Sequence, residues 1–119
     1  MNPHLQQQIE ELLAQDETVT LATCGQAGPQ ISHVPYATHQ SHLYLFVPYS
    51  SDHLFNLETQ PELVLLSPGW KLSGQGDTKQ DTSLAAPYTW QAVITVHPRR
   101  LHILSEDGQS SIETIDFET

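Results

Sequence analysis

The chain is short of positive charge. Four Lys and Arg stand against 14 Asp and Glu, for a formal charge of −10, and no Lys or Arg occurs before Lys71. Backbone binding to nucleic acid relies on clustered cations, so this balance argues against a nucleic-acid partner and, equally, against an anionic lipid surface. The single cysteine, Cys24, has no internal disulfide partner. Its place late in an apolar strand suits a small core or near-core residue better than a reactive thiol. No apolar run approaches the roughly 20 residues of a transmembrane helix, and no basic and apolar leader opens the chain; the expected location is cytoplasmic. Nucleophile elbow, P-loop and dinucleotide fingerprint are all missing. The seven histidines include His33, His39, His42 and His53, but no Cys pair or Glu accompanies them at zinc-site spacing, so no metal site is expected.

What is present is a clear succession of elements between residues 31 and 68. Ile31 to Ala37 and Leu43 to Val47 are β-branched, aromatic or aliphatic, and the polar His39-Gln40-Ser41-His42 between them reads as a hairpin connection. Pro48 closes the second strand. Ser50, Ser51 and Asp52 are N-cap candidates for a short helix that turns Leu54, Phe55 and Leu57 inward and stops at Gln60, before Pro61. Leu63 to Leu66 then reads as a short, fully apolar strand.

Upstream, Asn2-Pro3 looks like a cap with proline at the first helical position, and Leu5, Ile9, Leu12 and Leu13 make one apolar helical stripe. Thr18 to Cys24 is β-prone, and Gly25 to Pro29 supplies turn chemistry back into Ile31. Short links of this kind favour antiparallel pairing. Residues 67–88 are rich in Gly, Ser, Pro, Asp and Thr, with Trp70, Leu72 and Leu84 as anchors, and read as a long loop. Thr89 to Val96 follows as a strand, His97-Pro98-Arg99 as a turn and Arg100 to Leu104 as a further strand. In the acidic tail, 105–119, Ile112, Ile115 and Phe117 allow a last strand to dock.

The junction VPYSSDH is the candidate site. A strand running into a helix leaves unpaired N–H groups at the helix start, which together with flanking hydroxyls suit a phosphate. Ser50, Ser51 and His53 are its side-chain donors. The competing reading is that Ser50 or Ser51 simply caps the helix. Asp52 opposes an anion.

These residues resemble the split-barrel flavin-binding family of pyridoxamine 5′-phosphate oxidase. The likeness lies in an amphipathic helix followed by TVTLATCGQAGPQISHVPYA and then LYLFVPYSSDHLFNLETQPELVLL, and the spacing of Asn56-Leu57 with Gln60-Pro61 is its most specific part. The resemblance implies one mainly β (α+β) domain over 1–119, an antiparallel split β-barrel with an N-terminal helix and a short helix between strands. It further implies a homodimer holding flavin mononucleotide (FMN) in a cleft between subunits and acting as an FMN-dependent oxidoreductase on a small molecule. The phosphate would then sit near Ser50, Ser51 and His53, with Ser32, His33, Val34 and Pro35, and Val47, Pro48 and Tyr49, beside the ring. Where such proteins commonly carry Lys or Arg after the serines, this chain has His53, so a weak phosphate grip is expected. The alternatives are a cofactor-free homodimer of the same fold and, as related haem-handling members suggest, a porphyrin held by a histidine.

Overall fold

The computed structural model describes residues 3–39, 42–79 and 85–117. In chain order the elements are α1 (Pro3–Leu13), β1 (Thr18–Thr23), β2 (Gln30–His39), β3 (His42–Pro48), α2 (Asp52–Thr59), β4 (Glu62–Ser67), β5 (Trp70–Asp77), β6 (Gln91–Leu104) and β7 (Ser111–Asp116). The strands run in the order β3-β2-β1-β4-β5-β6-β7, and β3 also pairs with β6. Six antiparallel strands therefore close into a barrel, and β7 rides on β6. Among the described residues no helix is long and apolar enough to cross a membrane.

Period-two alternation decides which side chains fill the barrel. Val19 and Leu21 from β1, Val34 and Tyr36 from β2, and Leu43, Leu45 and Val47 from β3 form one side of the core. Leu63, Leu65, Trp70, Leu72, Ile94, Val96 and Leu101 form the other. The stripe of α1 docks Ile9 and Leu13 against this core, and the Tyr36 hydroxyl donates to the Leu13 carbonyl. Trp70 meets Tyr36 edge to face, with ring centroids 6.4 Å apart. Asn2, Gln40, Ser41 and Leu84 lie outside the described residues.

Helix α2 follows its capping rules. Ser51 is the N-cap, its side chain accepting from the His53 backbone N–H, and Gln60 is the C-cap. An N-cap of this kind contributes about 1 kcal/mol.

The structure corrects four readings. The segment expected to be a loop over 67–88 contains β5, whose inward positions are Trp70, Leu72, Gly74 and Gly76. Glycine in place of the last two apolar residues hides the alternation. A Cβ on Gly76 would lie 2.7 Å from Leu63 and 3.0 Å from both Ile94 and Leu57, so the space an apolar side chain would fill is already taken by core side chains of β4, β6 and α2. Second, no turn interrupts β6 at His97-Pro98-Arg99. The register steps from Ser73 opposite Arg100 to Gly74 opposite Pro98, leaving Arg99 as the extra residue of a bulge. Pro98 has no N–H to donate, and a bulge is where a strand tolerates it. Third, α2 turns Leu57 into the core but not Phe55, which is exposed. Fourth, Cys24 is exposed, because inward-facing Thr23 ends β1 and Cys24 is the next, outward position. The tail strand is present as β7.

A Cβ at Gly74 would collide with the backbone carbonyl of His97. We expect Gly74→Ala to lower stability by about 1 to 3 kcal/mol, read as an earlier urea midpoint, whereas Gly69→Ala, with open space around it, stays near wild type. Equal midpoints for the two variants would contradict the close strand approach.

Candidate functional site at an open seam in the barrel

The barrel wall is incomplete on one side. β2 pairs with β1 all along Gln30–Pro35 but with β3 only from Tyr36 to His39. β3 for its part is held by β6 from Leu43 to Pro48. Beyond Tyr36 and Leu45, toward α2, β2 and β3 have no ladder between them and the wall opens into a seam. One lip carries Ser32, His33, Val34 and Pro35; the other carries Val47, Pro48 and Tyr49 and leads into Ser50, Ser51 and α2. The two segments singled out in the sequence thus form the two edges of one opening.

Alternation sorts these residues. Val34 and Val47 point into the core, 5% and 1% exposed, and are unavailable to a ring lying in the seam. His33, Pro35, Pro48, Tyr49 and Ser50 are exposed, and Ser32 and Ser51 are half-buried. His33 is held along the outer face by Thr20, whose Oγ1 lies 3.0 Å from its Nδ1.

His53 crosses the foot of the seam. Its Nδ1 is 2.8 Å from Thr23 Oγ1 and its Nε2 is 3.0 Å from Ser32 Oγ, so a residue that follows β3 in the chain is tied to β1 and β2. The side chain is 3% exposed. Burial lowers its pKa below the ordinary histidine value, and the nearby Asp52 carboxylate opposes that shift less strongly. Burial thus favours the uncharged ring, and both nitrogens are already engaged by Thr23 and Ser32.

Asn56, one turn on from His53, is the residue that site reasoning from the sequence missed. It is fully buried. Its Oδ1 accepts from the Ala27 N–H at 2.8 Å, and its Nδ2 donates to the Gly28 carbonyl at 2.9 Å and to Thr23 Oγ1 at 3.1 Å. One amide therefore holds the β1–β2 turn against α2. Gly25 lets it approach, since a Cβ there would lie 2.9 Å from the Asn56 backbone. The signal in the sequence was the Asn56-Leu57 pair before Gln60-Pro61, with Asn56 three residues, about one helical turn, after His53.

None of the four Lys and Arg borders the seam. Arg100 is paired with Asp116 at 2.6 Å, and Lys71 and Lys79 belong to β5 and its exit. Arg99 lines a separate outer cavity of about 350 Å³ together with Cys24, Glu62, Val64 and Ser73. The chemistry available at the seam is therefore that of hydroxyls, backbone N–H groups and an exposed tyrosine, with Asp52 as the adjacent fixed charge. Among the described residues no group of three or more His, Cys, Asp or Glu is placed to hold a metal ion.

Two outcomes follow from the buried network. Asn56→Ala leaves the Ala27 N–H and Gly28 carbonyl without their partner, and we expect a loss of roughly 2 to 4 kcal/mol from two unsatisfied groups, measured by urea unfolding. For His53, the unfolded imidazole takes its proton near pH 6.5 and the folded one only at lower pH. The unfolded state binds the proton first as pH falls, so this contribution is intact above that value and is lost below it. Stability should fall as the pH drops below about 6.5, with a shallower fall in His53→Gln; identical slopes would contradict a buried ring that resists protonation.

A family model described as pyridoxamine 5'-phosphate oxidase matches residues 5–116. Among solved structures, General Stress Protein 26 from Bacillus anthracis str. Sterne superposes with a TM-score of 0.72 at 15% identity, over 96% of this chain and 99% of the other. A heme binding protein from Mycobacterium smegmatis also gives 0.72, at 19% identity, over 98% of this chain but 59% of the other. An F420 reductase gives 0.57 at 19% identity, over 77% and 94%. No curated protein matches. The superpositions carry the fold, the matched model spans both helices and all seven strands, and the chain belongs to the pyridoxamine 5'-phosphate oxidase family of split-barrel proteins.

Proposed function

We propose that the seam between β2 and β3 receives the ring of a flavin-type cofactor, FMN in the first instance, and that the chain does so as a homodimer with only a weak hold on the phosphate. The observation that carries this is the seam itself: two strand edges without ladder partners, bordered by Ser32 and the exposed Tyr49, lead directly to the start of α2. The ring edge of a flavin offers hydrogen-bonding groups to such edges, and Tyr49 offers an apolar face. A family neighbour described as an F420 reductase supports a redox role. A bound flavin supplies electron or hydride transfer, and the protein contributes orientation and electrostatics.

For the phosphate the residues fit poorly. Helix N-terminal donors favour an anion by about 0.3 to 1 kcal/mol when exposed and up to about 2 when partly buried. A micromolar complex needs about 8 kcal/mol in total. With no Lys or Arg at the seam and Asp52 beside it, the ring must provide most of the binding.

The outer wall supports a second copy of the chain as partner. Ile31, Ala22 and Val64 lie in one cross-strand row, and Leu66 lies in the next, opposite Thr20. Ile31 is 74%, Leu66 46% and Val64 38% exposed. A continuous apolar strip of this kind marks an interaction surface. The absence of a cation at the seam equally favours a cofactor-free dimer of the same fold, and titration separates the two readings.

Calorimetric titration of the purified protein should give FMN a dissociation constant above about 10 μM, no more than about thirtyfold tighter than riboflavin. Sub-micromolar FMN binding would overturn the weak-phosphate reading. No heat or fluorescence change with either flavin would establish the cofactor-free alternative. In sedimentation, the wild type should run as a dimer at micromolar concentration and Val64→Glu should shift it toward monomer; a wild-type monomer would refute the dimer.

A further inference from the structure

The hydrogen bonds around His53 determine which of its nitrogens carries the proton. Thr23 Oγ1 is 5% exposed as part of its residue and already accepts from Asn56 Nδ2. Its own proton has one acceptor among the described residues, His53 Nδ1 at 2.8 Å. With the buried Thr23 proton left no other acceptor, the network favours Nδ1 as the acceptor nitrogen and places the proton of the neutral ring on Nε2. That proton meets Ser32 Oγ at 3.0 Å. Ser32 thus accepts from His53, and its own O–H has no acceptor among the described residues. Ser32 is half-buried on the lip of the seam.

The geometry points to His53 as a positioning residue: a chain of hydrogen bonds running Asn56 to Thr23 to His53 to Ser32 fixes Ser32 Oγ as an acceptor on its inner side and presents its proton to an oxygen acceptor bound in the seam. The acceptor is a ring carbonyl or a phosphate oxygen, both of which a flavin carries, and this part of the inference rests on the flavin reading above. In the chain's cation-poor setting the arrangement provides a neutral, directed donor at the position nearest α2. Direction comes from the relay: were Nε2 the unprotonated nitrogen, the Ser32 proton would be drawn inward to it and the seam would face a lone pair instead.

Two measurements separate the relay from the ligand contact. Nitrogen-15 correlation spectra of the ligand-free protein at pH 7.5 should show His53 as the Nε2–H tautomer with an unprotonated Nδ1. Thr23→Val, close in shape but lacking the hydroxyl, should allow the Nδ1–H form to appear, and Thr23→Ser should restore the wild-type pattern. A wild-type Nδ1–H tautomer or an imidazolium would overturn the relay, whatever the flavin result. Titration with FMN and riboflavin then tests the donor. Ser32→Ala and Thr23→Val should each weaken binding by about five- to tenfold, the loss of one hydrogen bond, with Thr23→Ser near wild type. Loss for both flavins identifies a ring acceptor, and loss for FMN alone a phosphate oxygen. Unchanged affinity in Ser32→Ala would overturn the donor role. Failure of the wild type to bind either flavin would overturn the flavin reading and the ligand contact together, leaving the spectra to decide the relay.

Discussion

Asn56 and His53 perform, at one end of the barrel, what the strand ladders do elsewhere. Beyond Tyr36 and Leu45 the ladder between β2 and β3 ends, β2 is tied only to β1 and β3 only to β6, and no backbone ladder joins the two. The joining is done by side chains of α2. His53 reaches β1 and β2 through Thr23 and Ser32, and Asn56 reaches the β1–β2 turn through Ala27 and Gly28. A buried amide with every polar atom matched stabilises because removing it would strand its partners away from water. The same network is specific: an aliphatic residue in either position would seal the barrel equally well but would leave the turn and the lip of the seam free to drift.

Electrostatics then limit what the opening can hold. A histidine with its ring buried and both nitrogens engaged brings no charge, and Arg99 and Arg100 are committed to other faces of the barrel. With Asp52 at the helix start, an anion meets hydroxyls and N–H dipoles alone. A neutral planar ring faces no such penalty. A flavin bound as proposed would therefore be held by its ring more than by its phosphate, whereas the sequence reading put the emphasis on the Ser-Ser-Asp-His junction as a phosphate cradle.

Much of the fold was legible because its elements obey local rules. Ser51 and Pro61 delimit α2, the β-branched, aromatic and aliphatic runs mark β1 to β3, and the stripe of α1 is unmistakable. β5 was not legible, since its last two inward positions are Gly74, which the His97 carbonyl of β6 approaches, and Gly76, which Leu63, Ile94 and Leu57 crowd. No local pattern reports a constraint imposed by a residue that far along the chain. Arg99 misled for a related reason, since a proline flanked by His and Arg reads as a turn unless the bulge opposite Gly74 is known. In the candidate segments the facing of the side chains was not legible: Val34 and Val47 belong to the core, and His53 is buried through hydrogen bonds to Thr23 and Ser32, contacts 30 and 21 residues away.

The central claim is that the ligand enters at the seam between β2 and β3 rather than at the outer cavity beside Arg99. Backbone amide shifts followed by NMR during addition of FMN test it directly. The account predicts that the largest changes fall on Ser32, His33, Tyr49, Ser50 and Ser51, with Cys24, Ser73 and Arg99 unmoved. Changes centred on Cys24, Ser73 and Arg99, with the seam silent, would contradict it.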